Sequence, residues 1–278
     1  MRLDLFLASE IFIDKSRTQI QRLIRSGKVK INGIIVDKVG YDVKEFEDNV
    51  EIIENHSFKY VSRGGYKLEK AINAFNLSFL NKSVMDIGAS TGGFTDCSLQ
   101  HGARSVVAID VGNNQMAESL RCNNKVTCLE NTNFRDLKIN DLKEKIFDYV
   151  VVDVSFISLK YIFDNIKQFI DENSKIIVLI KPQFEVGKNN IGKKGIVKDK
   201  FNHKKAITNV IEFAFSNNIY IESLTFSPIK GGKNGNIEFL ALFSLMKCIE
   251  NNDKINDMID SVVDDSHSFL KRGDLIYD

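Results

Sequence analysis

The residue types in Val84–Thr95 favour the binding of a nucleotide-like ligand. An apolar run containing Asp86 opens into a turn with glycines at 88, 92 and 93. Glycine tolerates positive φ and lets a ligand lie against bare backbone. The spacing is not Gly-x-Gly-x-x-Gly, and no Lys-Ser or Lys-Thr pair closes the turn, so a pyrophosphate or triphosphate ligand is disfavoured. Close packing of a helix on a strand is the alternative explanation of these glycines.

Charged side chains end other predicted strands. Asp110 ends the second strand about 20 residues beyond the turn, where an acid can accept hydrogen bonds from both ribose hydroxyls of a nucleoside cofactor. Asp153 lies at the end of the fourth strand and Lys181 follows the fifth, and open parallel sheets bind ligands beyond these carboxyl ends. The alternatives are an ordinary turn residue for Asp110 and, for Lys181, a lysine that reaches solvent along apolar surface.

Short apolar segments alternate with helical ones from residue 84 onward, which predicts an α/β fold with a mainly parallel sheet and helices on both faces. The seven predicted strands are Val84–Ile87, Val106–Asp110, Val126–Leu129, Tyr149–Val154, Ile176–Ile180, Ile219–Phe226 and Ile237–Phe243. The last two are joined without a helix-length spacer, so they are expected to pair antiparallel. Ser90 or Thr91 is expected to cap the helix that begins near Phe94. Residues 250–271 predict an amphipathic closing helix.

The first 56 residues have a different pattern. Apolar residues at three- and four-residue intervals predict two short helices, and alternation around Asn32-Gly33 predicts a hairpin followed by a strand near Val50. Between residues 15 and 36 there is no acid, and the basic residues are Lys15, Arg17, Arg22, Arg25, Lys28 and Lys30. Such a face can meet successive nucleic-acid phosphates, and a solvated helix face is the alternative explanation.

The overall composition excludes several classes of protein. The formal net charge is +1, so a nucleic-acid partner must be met by a local basic patch. The cysteines, at positions 97, 122, 128 and 248, lack metal-ligand spacing, so no metal site or disulfide framework is expected. No apolar run approaches the roughly 18 residues of a membrane-spanning helix, and no secretory leader is recognisable, so we expect a cytoplasmic protein without a membrane partner.

The N-terminal pattern resembles a known RNA-binding domain. Arg2-Leu3-Asp4, Ser16-Arg17 and Gly27-Lys28-Val29-Lys30-Ile31-Asn32-Gly33 are similar to the small domain of the ribosomal-protein S-four type, which recurs on RNA-modifying enzymes. The resemblance implies binding of structured RNA by the helix and hairpin. We therefore predict an RNA-binding domain at 1–56, a linker at 57–62 and a second domain at 63–278.

The second domain resembles FtsJ-like S-adenosylmethionine-dependent methyltransferases, whose first motif is similar to Asp86-Ile87-Gly88-Ala89-Ser90-Thr91-Gly92-Gly93-Phe94-Thr95. The similarity extends to Tyr60–Leu68, Asp153–Leu159, Lys181–Glu185 and Gly235–Phe239, and together these segments resemble the TlyA family. That resemblance implies a Rossmann-like fold, S-adenosylmethionine as cofactor and 2′-O-methylation of cytidine in ribosomal RNA.

The resemblance also implies roles for individual residues. The Lys-Asp-Lys-Glu tetrad of FtsJ-like enzymes falls on Lys67, Asp153, Lys181 and Glu238. Lys181 is expected nearest the hydroxyl, and which lysine acts as base stays open. Taken alone, Lys67 is interpreted as a solvated lysine and Glu238 as an edge-strand charge. The cofactor-binding residues implied are Asp86, Gly88, Ser90, Gly92, Gly93, Phe94, Thr95, Asp110 and Asn133, with Asn133 near the adenine. The RNA-binding residues are Arg2, Arg17, Arg22, Arg25, Lys28, Lys30 and Arg63.

Two other functions compete with methyl transfer. Some TlyA-family members carry a haemolysin label, so a membrane-acting cytolysin is one alternative, although the sequence lacks a spanning segment or a sustained apolar stripe. A non-catalytic RNA-binding ribosome factor that keeps the fold is the other. Intact tetrad residues and the glycine turn favour an enzyme.

Overall fold

The computed structural model describes residues 1–12, 17–25, 27–44, 48–52, 59–231 and 235–271, without the side chains of 18, 19, 22, 270 and 271. The chain divides into two compact units, one of Met1–Val61 with Ala117–Ser119 and one of Ser62–Met116 with Leu120–Asp278. Residues 57 and 58 of the predicted linker lie outside the described residues.

The first unit packs two helical segments on a small antiparallel sheet. Helix α1 (Leu3–Phe6) continues into a π-helical turn (Leu7–Ile11), and α2 is Arg17–Arg25. The strands β1 (Val29–Ile31), β2 (Ile34–Ile35) and β3 (Val50–Ile52) pair in the order β2-β1-β3. Asn32 and Gly33 have φ of 52° and 80°, as a two-residue hairpin turn between right-twisted strands requires. The predicted helices, hairpin and third strand are confirmed.

The second unit is built on a sheet that has seven strands within the described residues. These are β4 (Ser83–Ile87), β5 (Ser105–Ile109), β6 (Val126–Leu129), β7 (Tyr149–Val152), β8 (Lys175–Ile180), β9 (Tyr220–Phe226) and β10 (Phe239–Ser244). Along the chain from residue 62 onward, the α-helices are α3 (Gly64–Ala74), α4 (Gly93–Gln100), α5 (Glu118–Arg121), α6 (Lys160–Ile166), α7 (Pro182–Glu185), α8 (Lys200–Ser216) and α9 (Asn252–Lys271). The predicted closing helix corresponds to α9.

The strand order β6-β5-β4-β7-β8-β10-β9 creates a crevice. The pairs from β6 to β8 are parallel, whereas β10 runs antiparallel to both β8 and β9. The chain order reverses between β4 and β7, and the connections on either side of that point leave space beyond the carboxyl ends of these strands. Every residue of β4, β7 and β10 is buried, which explains why their sequences are continuous apolar runs with few exceptions. The predicted fold class is confirmed.

The strand ends differ from the prediction in ways that concern the charged residues. β5 ends at Ile109 and β7 at Val152, so Asp110 and Asp153 follow their strands. β10 begins at Phe239, and Glu238 therefore precedes it. The predicted side-chain cap on α4 is wrong, because Gly92 is the N-cap residue, at φ 95°, and no side chain caps the helix.

No helix in the described ranges is long and apolar enough to cross a membrane.

Candidate active site

The glycine turn brings the ends of three strands into contact. Gly88 has a φ of 86°, and a Cβ on it would lie 2.7 Å from the backbone oxygen of Asp153, which follows β7. The amides of Gly88 and Ala89 both donate to the carbonyl of Ile109 at the end of β5. Gly88 is therefore required both for its backbone conformation and for the close approach of β7.

A pocket of about 460 Å³ opens beside this turn, a size suited to a small-molecule cofactor. Its lining includes eight of the residues predicted from sequence, namely Arg63, Lys67, Gly88, Ser90, Gly93, Phe94, Asp153 and Lys181. Ser62, Gly64, Ala89, Thr91, Ser155 and Lys230 complete it. The predicted cofactor residues outside the lining are Asp86, Gly92, Thr95, Asp110 and Asn133, and Glu238 reaches the site through its pairing with Lys67.

Asp86 lies beneath the turn as a fully buried carboxyl. Thr95 Oγ1 donates a hydrogen bond of 2.6 Å to its Oδ2. Its Oδ1 has no hydrogen-bond partner among the described residues. Burial, aided by the negative charges of Asp153 and Asp110, raises the pKa of Asp86 to about 7, and the Thr95 hydrogen bonds oppose this shift. Asp86 thus holds Thr95 beneath the turn, and its carboxyl group can gain or lose a proton near neutral pH.

Asp110 organises the loops that flank the turn. Its Oδ2 accepts a hydrogen bond from the amide of Ser90 at 2.8 Å, and its Oδ1 accepts one from the amide of Gly112 at 2.7 Å. The carboxylate is partly exposed, so it retains acceptor capacity toward a ligand. Asn133 uses its side-chain oxygen to accept from the amide of Arg135, which caps a short 3₁₀ turn.

Sequence reasoning missed Glu130, which directly follows β6. Its carboxylate accepts from the amides of Asn114, Gln115 and Met116 and pairs with both terminal nitrogens of Arg121. The Arg121 hydrogen bonds and those amides lower the pKa of Glu130 to about 2, against the opposing effect of burial. An ionised Glu130 therefore holds the loop that follows Asp110. The signal that could have found Glu130 was its place at a strand end.

The four tetrad residues meet in two ion pairs. Lys67 Nζ lies 2.6 Å from Glu238 Oε2, and Lys181 Nζ lies 2.7 Å from Asp153 Oδ1. Since β10 is antiparallel to β8, with Phe239 opposite Ile180, Glu238 reaches the sheet edge at which β7 and β8 end. The interpretation of Lys67 as a solvated lysine is wrong, because α3 packs this side chain against Glu238 and leaves it buried. Lys181 is buried too.

Neighbouring charges keep Lys67 and Asp153 ionised despite their burial. Burial acts to lower the pKa of Lys67, but the charges of Asp153 and Glu238 outweigh it and the pKa is raised. Burial likewise acts to raise the pKa of Asp153, and the charges of Lys67 and Lys181 outweigh it, so that pKa is lowered. Lys67 is therefore held as an ammonium ion, which makes it a poor proton acceptor.

Two residues shortly after Asp153 were not predicted as site residues. Ser155 lines the pocket, and its Oγ accepts a 2.7 Å hydrogen bond from Lys181 Nζ. Phe156 is 91% exposed and has a φ of 66°, a conformation that costs a bulky residue free energy. Its ring centroid lies 5.3 Å from that of Phe184. The Asp153–Phe156 turn therefore presents a hydroxyl and an aromatic ring.

The predicted RNA-binding residues of the first unit fall into two sets. Arg2 and Arg17 both pair with Asp4, which is fully buried. Burial opposes ionisation of Asp4, but hydrogen bonds from Gln21, Arg2 and Arg17 lower its pKa to about 2. Both arginines remain about half exposed and retain donors for a second partner. Arg25 is exposed, Lys28 and Lys30 are partly exposed, and the side chain of Arg22 lies outside the described residues.

Among the described side chains, no group of three or more His, Cys, Asp and Glu residues is placed to hold a metal ion.

Comparison with known proteins agrees with this geometry. The FtsJ-like methyltransferase family matches residues 60–244, and the S4 domain matches residues 1–50. A Mycobacterium tuberculosis protein named 16S/23S rRNA (cytidine-2′-O)-methyltransferase TlyA is 36% identical over 225 residues, which cover 81% of this chain and 83% of that protein. The chain belongs to the TlyA family of FtsJ-like methyltransferases.

Other TlyA relatives carry a different name. "Hemolysin A" of Brachyspira hyodysenteriae is 42% identical over 243 residues, which cover 87% of this chain and 99% of that protein. A solved structure named "Putative hemolysin from Streptococcus thermophilus" is 38% identical, covers 98% of each chain and superposes with a TM-score of 0.77. The TlyA fold therefore extends over nearly the whole of a relative with the hemolysin name.

Proposed function

We propose that this protein transfers a methyl group from S-adenosylmethionine to the ribose 2′-hydroxyl of cytidine in ribosomal RNA. The observation that carries the proposal is the joining of Lys67, Asp153, Lys181 and Glu238 in two ion pairs beside the glycine turn, with both lysines and Glu238 buried. The TlyA relative named as an rRNA (cytidine-2′-O)-methyltransferase supports the choice of substrate.

The residues present fit the proposed cofactor. The backbone of Gly88, Ser90 and Gly93 forms one wall of a pocket of suitable volume, and Asp110 offers its carboxylate to ribose hydroxyls. Asp86 lies beneath the same turn, fully buried, and one of its carboxyl oxygens has no hydrogen-bond partner among the described residues. When bound, S-adenosylmethionine supplies an electrophilic methyl group on a positively charged sulfur.

The tetrad supplies alignment and proton transfer. A ribose hydroxyl is a weak nucleophile, so it must be held in line with the methyl group and lose its proton as the new C–O bond forms. Lys181 faces the pocket with Asp153 and Ser155 fixing its Nζ. Lys181 Nζ is thereby placed to orient the ribose hydroxyl, and it accepts the hydroxyl proton only after it has released its own proton to solvent. Lys67 remains an ammonium ion and balances the negative charges of Asp153 and Glu238.

RNA is held by surfaces in both units. In the first, Arg2, Arg17, Arg25, Lys28 and Lys30 offer donors to phosphates. In the second, Phe156 offers an exposed ring on which an unstacked base can lie, close in sequence to Asp153. Unstacked bases in the loops and bulges of structured RNA commonly stack on such aromatic rings.

The test is methyl transfer from labelled S-adenosylmethionine to ribosomal RNA or ribosomal subunits, followed by nuclease digestion and mass spectrometry. Label is expected on the ribose of cytidine, and Lys181→Ala is expected to abolish it. Transfer to a base atom alone would contradict the proposal.

Two further measurements address the competing functions. Absence of cofactor binding by calorimetry, with and without RNA, would favour a non-catalytic RNA-binding factor. Dose-dependent leakage of dye from liposomes, produced by pure protein and unaffected by Lys181→Ala, would favour a cytolysin.

A further inference from the structure

The charged side chains that line the pocket beside the glycine turn are mostly positive, and the neutral tetrad does not account for the excess. The charged side chains that line it are Arg63, Lys67, Asp153, Lys181 and Lys230. The chain as a whole is almost balanced, with 38 basic and 37 acidic residues. The tetrad contains two lysines and two acids and is neutral as a set. The additional positive charge of the lining therefore comes from Arg63 and Lys230.

Arg63 and Lys230 are held together by the fold. Arg63 immediately precedes α3, and Lys230 lies in the connection between β9 and β10. The Arg63 Nη2 atom donates a 2.8 Å hydrogen bond to the backbone oxygen of Lys230, across 167 residues of sequence. Arg63 is exposed, Lys230 is partly exposed, and both residues line the pocket.

Ribose chemistry demands an anion site next to the reactive hydroxyl. The 2′-oxygen and the 3′-phosphodiester are attached to adjacent ribose carbons, so a 2′-hydroxyl cannot approach Lys181 without a phosphate nearby. Lys67 and Lys181 form ion pairs with carboxylates at 2.6 and 2.7 Å. Arg63 and Lys230 add two cations at the opening, where they can replace the water that the phosphate loses.

We propose that Arg63 and Lys230 form a phosphate-binding site that takes the phosphodiester adjacent to the methylated nucleotide. This inference rests on the proposed function and assigns Lys230, in particular, a role in gripping the RNA strand. The planar guanidinium of Arg63 has parallel N–H donors, one of which already holds the Lys230 carbonyl, so that a phosphate shares this group with the carbonyl, and Lys230 adds a point charge.

The carboxylate of the methyl donor has similar chemistry to a phosphate oxygen. The donor, however, also carries a sulfonium and an ammonium group, and its net charge is positive. Two cations at the opening give such a molecule no net attraction, whereas each nucleotide of RNA brings one negative charge. We therefore assign the pair to RNA, and the experiment separates the two anions.

The experiment compares the full-length protein with Lys230→Ala, Arg63→Ala and Arg63→Lys. Binding of a ribosomal RNA fragment is measured by fluorescence anisotropy at several KCl concentrations, and cofactor binding by calorimetry. The logarithm of the binding constant falls as the logarithm of the salt concentration rises, and loss of one phosphate contact makes this slope shallower by about 0.8. The same loss weakens binding about fivefold near 0.15 M salt. Arg63→Lys keeps the slope but loses affinity, because the parallel donors are gone.

The matched control is Lys254→Ala, which removes an exposed lysine on α9 outside the pocket lining. Its affinity and salt slope are expected to equal those of the wild type. Lys230→Ala should raise KM for RNA about fivefold and leave kcat and cofactor affinity unchanged. The substitutions change exposed or partly exposed residues, and melting curves verify that the variants remain folded.

Two results overturn the inference. One is that the RNA affinity of Lys230→Ala and of Arg63→Ala depends on KCl concentration as steeply as that of the wild type. The other is weaker cofactor binding with unchanged RNA binding, which would assign the pair to the donor carboxylate. The proposed function itself fails if the wild-type protein does not methylate ribose. That result does not depend on how the variants bind RNA.

Discussion

Gly231 is expected to position the Lys67–Glu238 ion pair. A Cβ on Gly231 would lie 1.8 Å from Glu238 Oε1 and 2.2 Å from its Cδ. Since carbon and oxygen atoms rest about 3.4 Å or more apart, Gly231→Ala forces the carboxylate to retreat by about 1.5 Å. If the carboxylate retreats in the direction away from Lys67, the 2.6 Å distance between Lys67 Nζ and Glu238 Oε2 grows to about 4 Å.

The magnitude follows from Coulomb's law. At an effective dielectric constant of about 20, lengthening the pair from 2.6 to about 4 Å loses roughly 2 kcal/mol of attraction. If the transition state needs the pair in place, kcat/KM falls by up to roughly thirtyfold. The alternative relaxation, a shift of the backbone, breaks the 2.8 Å hydrogen bond from the amide of Gly231 to the carbonyl of Asn236.

The assay is steady-state methyl transfer to ribosomal RNA, with cofactor affinity and melting temperature measured on the same samples. The control is Gly40→Ala, since a Cβ on Gly40 meets nothing within 4 Å and its φ is not positive. Unchanged cofactor binding with reduced kcat is the expected result. Shortening the acid restores space, so Gly231→Ala with Glu238→Asp should lose less activity than the product of the two single losses.

Wild-type kcat/KM in a folded Gly231→Ala variant would refute this reasoning. So would strictly multiplicative losses in the double variant, because they would mean that Gly231 and Glu238 act independently.

Three further predictions concern the residues around the site. Lys67→Met leaves Glu238, which is 2% exposed, without its partner and should cost about 3 to 5 kcal/mol of unfolding free energy, measured by urea titration. Most of that loss should be recovered in the double variant Lys67→Met/Glu238→Leu, which removes the unpaired charge. Equal stability of the single and double variants would contradict this. The pKa of Asp86 is raised from 3.8 to about 7 on folding, so its protonation stabilises the native state below about pH 4 and this contribution is lost as pH rises to about 7. The stability advantage of wild type over Asp86→Asn, measured by thermal unfolding, should therefore shrink across that window, and a pH-independent difference would disprove it. Phe156→Ala should lower kcat/KM for RNA without weakening cofactor binding. Phe156→Gly, which relieves a φ of 66°, should be about 1 kcal/mol more stable than Phe156→Ala. Equal stability of these two variants would show that the turn is unstrained.

Much of the fold could be predicted because its signals are local. Continuous apolar runs are interpreted correctly as buried strands, since parallel strands covered on both faces are almost wholly apolar. The strands predicted at Tyr149–Val154 and Ile176–Ile180 are observed at Tyr149–Val152 and Lys175–Ile180. The hairpin at Asn32-Gly33 was equally clear, because both residues tolerate positive φ. The cap on α4 was predicted wrongly, because Ser90 has a φ of 48° and its amide is bonded to Asp110, an interaction that arises only in the folded turn.

Local sequence signals were sufficient to predict the family, the order of strands and helices along the chain, and the residue types of the tetrad. They could not predict which lysine pairs with which acid. Lys67 and Glu238 are 171 residues apart, and they meet because β10 enters the sheet antiparallel and begins where β7 and β8 end. Burial, charge and proton affinity depend on neighbours that only folding brings together. For that reason a local pattern made Lys67 look like a solvated lysine, whereas in the folded protein it is a buried ammonium ion.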